Sequence, residues 1–103
     1  MTSTSSTYGL IAPTATVRVP QHVVYRPFPA ETVVLNLDTG LYHSLNPTGG
    51  RMLEVLDEVG LVKTAVVRLA QEYEQPLERV TRDICSFCFA LLEQGLIQVE
   101  TPE

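Results

Sequence analysis

Tryptophan is absent from these 103 residues, and there are only two cysteines, Cys85 and Cys88. A disulfide-stapled secreted scaffold needs more cross-links than one pair, so the default is a reducing, cytoplasmic setting. Basic side chains are scarce, 7 against 12 acidic ones, for a formal charge of −5. Nucleic-acid binders concentrate positive charge, because neutralising phosphates drives their affinity. The acidic balance argues against such a partner and leans toward a neutral or basic one, such as a peptide carrying Lys or Arg. No apolar run is long enough to span a bilayer, so no membrane segment is expected. The opening residues lack the basic head and apolar stretch of a secretory signal.

What is present suits one folded domain. The length matches a single core, and 45% of the residues are hydrophobic. Residues 1–14 are polar and Ser/Thr-rich at first and show no periodicity, which predicts a mobile tail. The domain is expected over residues 15–100. Val17-Arg18-Val19 reads as a short edge piece stopped by Pro20, and Val23–Arg26 as a strand closed by Pro27 and Pro29. Thr32–Leu37 is β-branched and apolar, the clearest strand in the chain. Asp38-Thr39-Gly40 forms a turn, and Leu41–Leu45 is strand-like again, so residues 32–45 predict a β-hairpin.

The hydrophobic period then changes. Asn46 and Pro47 are a helix start, with Asn at the N-cap and Pro at the first helical position. Met52, Leu53, Val55, Leu56 and Val59 give that helix its apolar face, and Gly60 ends it. A second helix is predicted from about Leu61 to Glu72, with Val62, Ala65, Val66, Leu69, Ala70 and Tyr73 on one stripe. After Pro76 a third runs from about Leu77 to Gln94, and Gly95 closes it. Ile97-Gln98-Val99 adds a short strand or simply docks. Strands first and helices afterwards indicate an α+β fold.

The third helix carries more apolar surface than one core needs. At 100° per residue, Leu77, Val80, Ile84, Phe87, Cys88 and Leu91 form a core stripe. Cys85, Phe89 and Leu92 form a second apolar shoulder beside it. That shoulder is either buried more deeply or meets a partner. The hairpin's last strand, Leu41–Leu45, is a candidate edge, carrying neither Pro nor Lys to discourage pairing with a foreign chain.

Motifs for catalysis or metal binding are weak. Cys85-Ser86-Phe87-Cys88 has CxxC spacing, but it sits mid-helix among apolar residues with no second ligand pair at zinc spacing. Two small buried hydrophobes fit better. His22 and His43 are isolated. Thr48-Gly49-Gly50-Arg51 lacks the Walker pattern and its Lys. No catalytic constellation stands out, so no enzymatic activity and no cofactor are expected. Three helices with a hairpin also suggest a winged helix, a common nucleic-acid reader. Here the last helix mixes Arg79 and Arg82 with Glu78, Asp83 and Glu93.

The segment Val33–Leu56, VVLNLDTGLYHSLNPTGGRMLEVL, resembles the PqqD-like family, whose domain is also called the RiPP recognition element. Its signature runs Asn36-Leu37-Asp38-Thr39-Gly40 and then Leu45-Asn46-Pro47-Thr48-Gly49. Leu69–Ile97 is similar to the last two helices of that family. The resemblance implies a three-stranded antiparallel sheet packed on three helices in a winged-helix-like arrangement. It further implies capture of the leader segment of a ribosomally made precursor peptide. The leader would add as a strand beside Leu41, Tyr42, His43, Ser44 and Leu45, against a groove wall from residues such as Arg82, Cys85, Phe89 and Leu92. The implied partner is a processing enzyme: a lasso-peptide leader peptidase by preference, or a radical enzyme of pyrroloquinoline-quinone assembly.

Overall fold

A computed structural model describes residues 11–101. Its elements are β1 (Thr16–Arg18), β2 (Val23–Pro27), β3 (Thr32–Asn36), β4 (Tyr42–Leu45), α1 (Pro47–Val59), α2 (Val62–Tyr73), α3 (Leu77–Glu93) and β5 (Gln98–Glu100). Strands β2, β3 and β4 form an antiparallel sheet in that spatial order. Three helices follow, giving the α+β, winged-helix-like architecture that the segregation of strands and helices predicts.

Period-two alternation decides which face of the sheet meets the helices. Thr32, Val34 and Asn36 of β3 are buried, and their register partners on that face include Leu45, His43, Tyr25 and Val23. Over this face lie Leu53, Val55 and Leu56 of α1, Val62, Ala65, Val66 and Leu69 of α2, and Val80, Ile84, Cys88 and Leu91 of α3. The expected helical stripes fill this core, with Met52, Val59 and Phe87 half-buried at its margin and two residues at helix ends more exposed. Leu77 is 55% exposed and Tyr73 is 41% exposed, because each sits at a helix end.

The short β1 does not join the main sheet. It pairs with β5, with Thr16 opposite Glu100 and Arg18 opposite Gln98, so the two ends of the domain tie each other down. Val17 N–H also donates to the Gly60 carbonyl at 2.8 Å. Of the tail expected over 1–14, residues 1–10 lie outside the described residues. Ile11 is only 3% exposed, and Lys63 N–H donates to the Pro13 carbonyl at 3.0 Å. The ordered body therefore takes in residues 11–14 as well as the expected 15–100.

Candidate functional site

The site begins with the turn that aims β4. Asn36, 6% exposed, accepts at its Oδ1 from the N–H groups of Asp38 (2.9 Å) and Thr39 (3.3 Å). Gly40 has φ +75°, which a side chain would strain, and its N–H donates to the Asn36 carbonyl at 2.7 Å. Asn36 N–H in turn donates to the Leu41 carbonyl at 3.0 Å. The first half of the family signature is thus a turn-building device.

That last bond fixes the polarity of β4. In an antiparallel strand, successive residues aim their main-chain groups at opposite sides. Leu41, His43 and Leu45 face β3, so Tyr42 and Ser44 present their N–H and C=O groups to the open edge. Among the described residues no strand pairs with that edge. Side chains follow the other alternation. His43 and Leu45 turn toward the helices and are half-buried, whereas Tyr42 is 72% exposed on the outer face. Ser44 Oγ donates to the Glu31 carboxylate.

The second half of the signature sets α1 against β4. Asn46 caps the helix, accepting at its Oδ1 from Gly49 N–H at 2.7 Å, and Pro47 occupies the first turn. A Cβ on Gly49 would stand 3.4 Å from Phe87 Cε1 and 3.5 Å from Leu45 Cβ, so strand, helix start and α3 converge here. Around that junction lies an open recess lined by Ser44, Leu45, Asn46, Thr48, Gly49, Met52 and Phe87. Thr48 and Met52 also line a second cavity of about 250 Å³, bounded by Leu69, Tyr73, Gln75, Arg79, Val80 and Asp83. The two share Thr48 and Met52 as a common wall. Arg51 beside it is held by Glu72 (2.9 Å) and Glu54 (3.2 Å), and this guanidinium keeps the Glu72 carboxyl below its usual range.

Of α3, only Phe87 reaches this recess. Arg82, Cys85, Phe89 and Leu92 are not among the residues lining this recess. Two residues along a helix turn 200° and five turn a net 140°, so all four sit about 140–160° round from Phe87. Phe87, read as core, is half-buried and faces the recess. Its flank continues to Asp83, one turn earlier, on the rim of the second cavity. Phe87 falls at the margin of the core stripe, and only the position of α1 reveals which margin opens.

Both thiols are free. Burial pushes Cys88 up to about 12, with neighbouring Cys85 adding to the effect, and burial also raises Cys85. A thiolate nucleophile or ligand needs the opposite shift. Among the described residues no three His, Cys, Asp or Glu side chains cluster as metal ligands. No described helix is long and apolar enough to cross a membrane.

Residues 31–97, from the start of β3 to just past α3, match the family model for coenzyme PQQ synthesis protein D (PqqD). The chain belongs to the PqqD family. It is an accessory protein of that family rather than an enzyme. Two solved structures are similar. One is TbiB1 in complex with the TbiA(beta) leader peptide, 30% identical, with a TM-score of 0.73, covering 79% of this chain and 94% of that one. The other is lasso peptide synthetase B1 complexed with the leader peptide, with a TM-score of 0.72 over 81% of this chain and 98% of that one. Its 23% identity bears on the fold alone. Comparison with curated proteins gave no match.

Proposed function

We propose that this protein captures the leader segment of a ribosomally synthesised precursor peptide as an added strand on β4 and holds it for a separate processing enzyme. The observation that carries the reading is the open edge of β4 beside the Phe87 recess. Membership of the PqqD family supports it, as does the 30% identity to a protein whose structure holds a leader peptide.

In this reading Tyr42 and Ser44 supply the main-chain pairing, which fixes register and asks little of the peptide's sequence. Leu41 marks the start of the edge. His43, Leu45, Met52 and Phe87 receive the apolar side chains of the incoming strand, and its next anchor reaches the cavity between Met52 and Val80. Each Leu-sized anchor contributes roughly 1.5–3 kcal/mol. Ordering a flexible peptide costs about 2–5 kcal/mol. Two or three anchors with the strand pairing therefore give roughly micromolar to nanomolar affinity. Capture then raises the precursor's local concentration at the enzyme.

The enzyme partner we favour is a leader peptidase of the lasso-peptide type: the chain is 30% identical to leader-bound TbiB1 and shares its fold with a lasso peptide synthetase B1. A reducing, cytoplasmic setting suits two free thiols. The test is titration of a labelled leader peptide from the protein's own precursor, followed by fluorescence anisotropy. Saturable binding that is lost when a proline replaces a central leader residue supports strand addition. Affinity unchanged by that proline rules it out.

A further inference from the structure

The outer face of the sheet is apolar, although among the described residues no element covers it. The register sets Val24, Leu35 and Tyr42 in one row across all three strands. Val24 is 45% exposed and Tyr42 72% exposed. The neighbouring outer row is Arg26, Val33 and Ser44, with Glu31 bonded to Ser44. Phe28 and Leu37, both exposed, continue the same parity just past the strand ends. A half-solvated sheet should carry polar residues here; this one carries a greasy row with a cation at one side and an anion at the other.

We propose that this face is where two copies of the chain meet, stacked sheet on sheet about a dyad parallel to β3. Such a dyad exchanges β2 with β4 and leaves β3 opposite itself. Leu35 then meets the partner copy's Leu35, and Val24 meets Tyr42. Arg26 comes opposite the Ser44–Glu31 pair, so the face is complementary to itself in charge as well as in polarity, as a two-fold interface requires. Aligned stacking is the ordinary way for two sheets to pack. Three strands of four or five residues make a face of only about 14 Å by 17 Å. That is small beside the roughly 800 Å² per partner of a stable complex, so the association is weak and concentration-dependent. Both β4 edges stay open in this arrangement, and it stands independently of the peptide reading.

Sedimentation velocity over a wide concentration range tests it. The wild-type mass should climb from 11.4 kDa toward twice that value as concentration rises. Val24→Asp, whose fold is checked by circular dichroism, should stay monomeric throughout. Arg26→Glu should weaken association, and adding Glu31→Arg in the same chain should restore it. A wild-type chain that remains monomeric at the highest concentration overturns the proposal, as does a Val24→Asp chain that associates like wild type. Failure of the charge swap to restore association overturns the dyad.

Discussion

Gly50 of α1 lies so close to Thr32 of β3 that a Cβ added to the glycine would stand 2.8 Å from the Thr32 Cβ. No real side chain tolerates that separation, so the glycine is what lets α1 press onto the central strand. The consequence reaches the site. Gly49, the next residue back, is wedged between Leu45 and Phe87, and the recess beside β4 exists only while α1 keeps this position.

Gly50→Ala should therefore destabilise the fold. Thr32 is buried and short, with no flexible end to swing aside, so the strain costs roughly 1–3 kcal/mol. Chemical denaturation should show a lower midpoint with an unchanged slope. A midpoint equal to wild type would mean that α1 does not sit where we place it.

Asn36→Ala should remove two acceptor contacts that hold the turn, at Asp38 and Thr39. The loss is about 1–3 kcal/mol, because two N–H groups in a tight turn lose their partner. Leader binding should weaken as well, since β4 enters the sheet through that turn. Equilibrium unfolding and the anisotropy titration read the two effects separately.

Phe87→Ala should weaken leader binding by roughly ten- to a hundredfold, the worth of one aromatic anchor. Phe89→Ala, on the opposite flank of α3, should leave the affinity within about twofold. The reverse pattern would return the groove wall to the Cys85–Phe89–Leu92 shoulder.

Stability should fall as pH rises above 9 in the presence of a reductant. Cys88 is buried, and its folded-state value of about 12 stands above its ordinary 9.0. Between those two values the unfolded chain has released the proton and the folded chain has not, so unfolding gains ground with each pH unit, by up to about 1.4 kcal/mol per unit for one full proton. Tyr25, raised by burial and by its hydrogen bond to Asp57, acts in the same direction. Denaturation midpoints from pH 8 to 11 should decline, and more shallowly in Cys88→Ala relative to that variant's own value at pH 8.

Much of this architecture is legible along the chain because its signals are local. The β-branched run at Thr32, the Asn46-Pro47 start and the 3.6-residue stripe from Val62 to Ala70 each depend on neighbours in sequence. The edge position of β4 also follows from the lack of another strand after Leu45 until the far end of the chain. What escaped is long-range. Nothing at Thr16–Arg18 announces Gln98–Glu100 as its partner. Ile11 sits in the short apolar run Leu10-Ile11-Ala12, which has no periodicity to mark it as core, and its burial depends on where the helices lie. Phe87 could be placed on the apolar arc of α3, but which margin of that arc borders β4 depends on the packing of α1. Along the chain Phe87 looks like ordinary core, and only its place beside Leu45 and Gly49 shows that it borders the recess.

Hydrogen exchange at single residues of β4 tests the central claim most directly. With a saturating leader peptide, the amides of Tyr42 and Ser44 should become slow to exchange, because their N–H groups gain a strand partner. That of His43, which already faces β3, should change much less. Tyr42 and Ser44 amides that exchange equally fast with and without the peptide would show that no strand is added there.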